Sequence, residues 1–526
     1  MDFVNTTTTN AVVVNGAGPV GLTMACELAR HGAEVRIFDK NTEAATQSRA
    51  LAIFPRTLEV FHAMGMIDGI LAEGQKLEGI SMYNGSKRLA HLEFQAIESP
   101  YPFAISLPQN RTERILGARL EELGVKVERG MELIGMSQDG DGVQARYRRA
   151  DGKEEIVDGK WMLGCDGAHS GVRHLLGMTF QGAQYDEEFL LADVKVDSDF
   201  ETDQGHLFFS KEGVFAYFPY KGGRGRIIAD QRPGSPHDGP EPTMAEVEEI
   251  VRRRCAGKMR VSDPVWKAWF RISHRMVEHY AQGRAYLAGD AAHIHSPAGG
   301  QGMNTGIQDA FNLAWKIALV SHGVAGPRLL DSYEAERMPV ARSVVNLTDR
   351  MTRAATAQTP VAQPLRDMLV PLLAGIPLVK ETMAERLAEV GIDYRKSDWV
   401  ENRGLGAVRA GDRAPDVVLY DRVDGVERRV FDLLRTPGFV LLVFEGYEEI
   451  PTGQGLLSDF PGKTYRIRRP GCEMKAGTLE DRDCLARKVY GAGEEGLLML
   501  IRPDGYVGFR GESVEALRGY LERLKG

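Results

Sequence analysis

Cysteine is scarce: five in 526 residues (Cys26, Cys165, Cys255, Cys472 and Cys484), with no C-x-x-C pair among them. So few thiols exclude a disulfide-held scaffold and point to a reducing compartment. Long apolar runs are also missing. The longest, Met368 to Val379, has 12 residues and contains Pro371 and Pro377, too short and too broken to span a bilayer. The first ten residues are polar and Thr-rich, with no basic stretch ahead of an apolar one, so no secretory leader is expected. Positive charge is not in excess. The 65 basic and 73 acidic side chains leave −8, which gives no electrostatic footprint for a phosphate backbone. A cytoplasmic protein with no nucleic-acid or membrane partner is expected. There is no internal repeat or low-complexity tract.

Hydrophobic content of 43% with 26% charged residues is enough for large cores and excludes a largely disordered chain. The length corresponds to roughly three domains of about 150 residues. Glycine is in excess, with 59 residues, roughly 11% against an average of about 7%. Many sharp turns or close backbone approaches are implied.

Ala11 to Asn15 reads as a short buried strand, followed by a Gly-rich turn, a helix to about Gly32 and a second strand, Glu34 to Phe38. This is a β-α-β unit, which implies a parallel sheet. Strands follow near 80–101, a helix near 110–124, and strands with Asp-Gly turns over 125–158. Residues 189–231 are strand-rich, an amphipathic helix lies near 243–256, and Tyr286 to Ala288 is a buried strand. A long helix is predicted from Thr305 to about His322, and more helix over 332–390. The texture changes near 404–411, after which strands at 417–420, 439–444 and 497–501 mark a separate α/β domain.

Three motifs carry chemistry. Gly16-Ala-Gly18-Pro19-Val-Gly21 sits between strand and helix. Gly16 permits the tight turn, Gly18 lets backbone approach a pyrophosphate, and Gly21 allows close helix packing. The helix N-terminus faces the phosphates. Asp39, followed by Lys40, ends the second strand and is placed to bond a ribose hydroxyl. This motif alone leaves NAD and FAD both open. The second motif, Trp161 to Arg173, is a strand entering an Asp166-Gly167 turn. The third, Arg284 to His293, enters Gly289-Asp290 and continues as Ser296-Pro297-Ala298-Gly299-Gly300-Gln301-Gly302-Met303-Asn304.

Together these motifs, with Arg49, Pro55 to Glu59 and Gln109, closely resemble the class A FAD-dependent aromatic hydroxylases, over roughly residues 11–345. The resemblance implies an α/β fold: a Rossmann-like FAD-binding domain (1–75, 105–185 and 280–345) interleaved with an α+β substrate domain (76–104 and 186–279). A helical connection (346–403) and a C-terminal thioredoxin-like domain (404–526) follow. That tail is similar to the one in phenol, pentachlorophenol and polyketide hydroxylase-like members, but it lacks the C-x-x-C pair on which disulfide exchange depends.

The resemblance also implies roles. Asp290 accepts from a ribityl hydroxyl, and Pro297, Gly300, Gly302, Met303 and Asn304 run beside the isoalloxazine. The following helix N-terminus stabilises negative charge on reduced flavin. Asp166 assists FAD and nicotinamide, Arg49 holds the pyrophosphate region or the mobile flavin, and Gln109 joins the cofactor contacts. NADPH or NADH reduces FAD, molecular oxygen is captured as a flavin C4a-hydroperoxide, and a phenolic or polycyclic aromatic substrate is hydroxylated. There is no second Gly-rich β-α-β unit, which fits transient nicotinamide docking. His206, Phe208, Phe215, Tyr217 and Tyr220 are candidates to line the substrate cavity, while alternation can instead place some of them in the sheet core or on its outer face. Tyr217, His206 and a main-chain carbonyl are the open choices for the partner of the phenol hydroxyl.

Bland readings stand beside these. Asp166 and Asp290 can serve as turn or helix caps, Trp315 reads as core, and the His293/His295 pair lacks the Cys or carboxylate neighbours of a metal site. A flavin halogenase is disfavoured because Trp266 and Trp269 are not followed by its Ile-Pro. Baeyer-Villiger or epoxidation chemistry on the same fold, a non-catalytic flavin-binding module, and a homodimer are left open.

Overall fold

The computed structural model describes residues 4–5, 10–46, 48–210, 212–231, 241–255, 257–295, 299–356, 377–446, 450, 455–472 and 477–526. The β-branched run Val12–Asn15 is wholly buried and lies in the middle of a six-stranded sheet. Val35–Asp39 flanks it on one side and Trp161–Gly164 on the other, both parallel to it. Ala285–Leu287 extends the sheet beyond Trp161–Gly164, again in parallel. Residues buried on both faces suit such a sheet. One face carries the Pro19–Arg30 helix, which packs against the long helix Gly302–Ser321. All three chemical motifs therefore leave the same sheet from strand ends of the same direction, where ligands of open α/β sheets bind.

A second, eight-stranded sheet has the order His293–Ile294, Met259–Val277, Phe180–Ser198, Arg224–Gln231, Gly213–Tyr220, Gln204–Ser210, Gly79–Asn84, Lys87–Glu93. One of its faces is sealed by the Met244–Arg254 helix, whose Val247, Ile250 and Val251 join Leu190, Phe208, Phe215, Tyr217 and Ile227 in one apolar cluster. The helix starts with a reciprocal capping box between Thr243 and Glu246. The 19-residue strand Phe180–Ser198 runs through residue 185, where the sequence suggested a domain boundary.

The C-terminal residues form another eight-stranded sheet, with the fully buried strand Phe439–Phe444 in its interior. Its outermost member, Glu401–Asn402, pairs with Val507–Gly511. This unit is welded to the rest of the chain. Trp315 and Leu319 of the Gly302–Ser321 helix share a core with Phe439, Leu441 and Leu517, and Trp315 meets Phe439 edge-on at 5.8 Å. No helix among the described residues is long and apolar enough to cross a membrane. The Met368–Val379 run lies almost wholly outside the described residues.

Candidate functional site

The Gly-rich turn is built as its sequence requires. Gly16 has φ = 101°, and a Cβ there would sit 2.5 Å from the Cys165 carbonyl oxygen. A Cβ on Gly21 would sit 1.8 Å from the Gly16 oxygen, so both positions exclude a side chain. Gly18 differs: a Cβ there meets nothing within 4 Å. It is the N-cap of the Pro19–Arg30 helix, has no side-chain cap, and is followed by Pro19 at the first position. The helix end therefore presents unpaired N–H groups to open space, the arrangement that receives phosphate.

Asp39 braces this turn. Its Oδ2 accepts from Ala17 N–H (2.7 Å) and its Oδ1 from Asn41 N–H (2.8 Å). A carboxylate offers about four acceptor positions, so capacity remains for a ribose. Lys40 beside it is exposed. Asp166 works as a cap: its Oδ2 accepts from Gly171 N–H (2.8 Å), Val172 N–H (3.2 Å) and Asn15 Nδ2 (2.8 Å). Its Oδ1 is buried with no partner among the described residues, an acceptor left to be satisfied.

Arg49 and Asp290 come together on a cavity of about 600 Å³, whose walls also include His169, Arg173, Arg271 and Arg275. Asp290 is exposed to this cavity while enclosed by protein. Desolvation raises its carboxyl pKa, and His293 and Arg49 oppose the rise. The Arg49 backbone is held firmly. Arg226 donates to Ser48 O (2.6 Å) and Arg49 O (2.8 Å), and is itself locked by a buried two-pronged pair with Asp193 (2.7 and 2.8 Å). Gln109 contributes from the other side, its Oε1 accepting from Ala50 N–H (3.0 Å) and its Nε2 donating to Glu113 (2.8 Å). Gln109 thus fixes the Arg49 segment.

The Gly289–Asn304 segment departs from expectation in one respect. The helix begins at Gly302, three residues earlier than its apolar pattern suggested, so Met303 and Asn304 form its first turn. Gly300 (φ = 66°) precedes it. Asn304 is fully buried, donating to Ala52 O (2.9 Å) and Gly300 O (3.0 Å) and accepting from Phe54 N–H (2.9 Å). It anchors the turn through bonds already made. The helix has no side-chain cap, so its leading N–H groups remain available. Pro297 lies outside the described residues.

His206 and Tyr217, the candidates for the partner of the phenol, lie away from the Arg49–Asp290 cavity lining. Both are buried on the face sealed by the Met244–Arg254 helix, in ring contact with each other at 5.7 Å. His206 Nε2 bonds Glu201 O (2.8 Å), and burial lowers its pKa. Burial pushes the Tyr217 phenol up to about 12. Phe208 and Phe215 share that core. A one-residue step along a strand changes the face, and it is the alternate set that faces the FAD-motif region. Phe218 packs with Ala52 and Phe54, and Arg226 reaches Ser48 and Arg49. Tyr220 shares this parity with Phe218, and Trp266 lies 5.9 Å from the Arg226 guanidinium.

Several residues escaped the sequence reading. Asp309 is wholly buried, with Oδ2 2.7 Å from His293 Nε2 and 3.1 Å from Gly289 N, and Oδ1 accepting from Arg337 (2.7 Å). It ties the Asp290 turn to the long helix. His293 is thereby spent on a carboxylate, and no group of three or more metal-ligating side chains occurs among the described residues. The available signal was a polar stripe in an apolar helix: Thr305, Gln308, Asn312 and Lys316 recur every three or four residues on one face.

The chain matches known proteins over nearly its whole length. Residues 9–348 match the family described as FAD binding domain. The 6-methylpretetramide 4-monooxygenase of Streptomyces rimosus is 36% identical, covering 95% of this chain and 90% of that protein. The pentachlorophenol 4-monooxygenase of Sphingobium chlorophenolicum is 31% identical over 94% and 93%. The solved structure of the anhydrotetracycline hydroxylase OxyS from Streptomyces rimosus superposes with a TM-score of 0.79 at 30% identity, covering 98% and 99%.

Proposed function

The chain belongs to the FAD binding domain family, and from that membership we propose an FAD-dependent monooxygenase that uses NAD(P)H to hydroxylate a phenolic or polycyclic aromatic substrate. Its relatives include monooxygenases named for both a chlorinated phenol and a polycyclic polyketide. One observation carries the reading. Gly16 lies against the Cys165–Asp166 backbone and Val20 lies against both Gly289 and Gly306, so the two uncapped helices that start at Gly18 and Gly302 pack beside the Asp166 and Asp290 turns. These groups fit a dinucleotide with an anionic middle and a hydroxylated linker.

Bound FAD supplies the redox chemistry, accepting a hydride and activating oxygen. The protein supplies the remainder. The Gly16–Gly21 turn and the first helix receive the pyrophosphate, Asp39 a ribose hydroxyl and Asp290 a ribityl hydroxyl. Arg49, held by Arg226 and Gln109, sets positive charge beside the phosphates. The N–H groups of Met303 and Asn304 offset negative charge on the reduced ring. Phe218, Tyr220 and Trp266 would form the substrate-side wall and keep water from the reacting groups, where it would favour release of hydrogen peroxide over transfer of oxygen to the ring. The C-terminal unit is thioredoxin-like in this proposal. Without the C-x-x-C pair, it acts as a brace for the long helix.

The test is direct. Purified protein should be yellow, and NAD(P)H oxidation should rise when phenols or polycyclic aromatics are added. The product should contain one added oxygen on the ring. Colourless protein that gains no flavin on incubation with FAD overturns the proposal.

A further inference from the structure

The start of the Gly302–Ser321 helix holds a buried carboxylate that the roles above leave unused. Glu389 follows the Pro377–Ala388 helix in left-handed backbone, with φ = 58°. Glycine takes that position freely, whereas a residue with a Cβ is strained there. Such strain persists where the surroundings enforce it, and it gathers at functional sites. Glu389 is 3% exposed. Its Oε1 accepts from Thr305 Oγ1 (2.9 Å) and its Oε2 from Gln308 Nε2, both in the first two turns of the long helix. Gln301, at that helix's N-cap, donates to Arg386 O (2.9 Å), so the two helix ends are tied together.

The charges around Glu389 are already committed. Arg337 donates to Asp309 Oδ1 (2.7 Å) and to Thr305 O (3.1 Å). Glu385 and Arg386 on the preceding helix are exposed. Asp504 and Arg56 lie beyond Gln308, across a void of about 10 Å³. Burial drives the Glu389 pKa up to about 7; Thr305, Arg337 and Gln308 oppose the rise, and Asp309 adds to it.

Resting on the FAD reading, we propose that Glu389 is a positioning residue that takes up one solvent proton when the bound flavin is reduced. NAD(P)H delivers a hydride, two electrons with one proton, and leaves as NAD(P)+. The additional proton comes from water and forms an O–H bond on the Glu389 carboxylate. A carboxylate in the first turns offsets the helix end's preference for negative charge, and protonation restores that preference. Reduction and protonation are therefore linked.

The test is the reduction potential of the FAD-loaded protein between about pH 5 and pH 9. Each proton taken up with two electrons changes the equilibrium tenfold per pH unit, about 30 mV. The wild type should show one such tenfold increment more than Glu389→Gln around neutral pH. The two curves should merge at acid pH, and the variant should lie higher at alkaline pH. Glu389→Gly suits left-handed backbone and lacks the carboxylate, so it should match the Gln variant and covers any failure of Gln to fold. Parallel curves for wild type and both variants overturn the proposal while leaving the FAD reading intact. Colourless wild type overturns the FAD reading itself.

Discussion

Replacing Glu336 by Gln removes one charge from a sealed network that joins the long helix to the C-terminal unit. Glu336 accepts from Lys316 (2.8 Å), Asn312 (2.8 Å) and both Arg502 nitrogens (2.7 and 2.8 Å), and Arg502 also pairs with Asp504. All four charged side chains are almost fully buried. Desolvation alone would raise the Glu336 pKa, but Arg502 and Lys316 hold the carboxyl far below the usual range. The two positive and two negative groups balance, and Gln leaves one positive charge uncompensated. Losing one partner of a buried pair costs about 3–5 kcal/mol. If the whole chain unfolds as one unit, its unfolding entropy of about 1.1 kcal/mol/K makes this a fall of about 3–5 °C in Tm. If the C-terminal unit melts alone, the same loss lowers its Tm by more than about 10 °C. The shared core around Trp315 and Phe439 favours the first outcome. Calorimetry with flavin release followed in parallel should show one transition, shifted by the smaller amount. Two separated transitions, with flavin retained through the first, would refute the welded-unit reasoning.

Other outcomes follow from the same geometry. Gly18→Ala should leave the apoprotein's Tm unchanged, because its Cβ enters open space, yet weaken FAD binding more than tenfold by titration. Gly21→Ala should destabilise the apoprotein as well, since its Cβ meets the Gly16 oxygen. Tyr217→Phe should retain turnover because its ring sits in the sealed core; Phe218→Ala and Trp266→Ala should raise KM for substrate, and unchanged KM in both would remove the proposed wall. Glu389 has a raised folded pKa, so its contribution to stability is fully present below about pH 4.5 and is lost as pH rises through about 7. The loss approaches about 3 kcal/mol at alkaline pH. Apo Glu389→Gln should show a flatter stability profile over that window in urea unfolding.

The parts of the fold that the sequence made legible are those where local chemistry has one solution. Gly16 and Gly21 admit no side chain, so the turn, the helix behind it and the parallel sheet could be read from spacing. The Asp166 and Asp290 turns follow the same logic. The substrate side was less legible. Phe215, Tyr217 and their neighbours alternate cleanly, but alternation does not say which face meets the Met244–Arg254 helix and which meets the FAD-motif region. That choice is tertiary, and it placed His206 and Tyr217 in the core. The long helix hid its role for a related reason. Its polar stripe of Thr305, Gln308, Asn312 and Lys316 faces charged partners as distant in sequence as Glu389, Glu336 and Asp504, which no local window contains.

The central claim is oxygen transfer from O2 to an aromatic ring at a flavin held by the Gly18 and Gly302 helix ends. Its most direct test is product analysis after turnover under isotopically labelled oxygen gas, with NAD(P)H and a panel of phenols and polycyclic aromatics. One labelled oxygen atom on the ring, formed in step with NAD(P)H consumption, is the predicted result. NAD(P)H consumption that yields only hydrogen peroxide across the panel, or label entering the product from water instead, would contradict it.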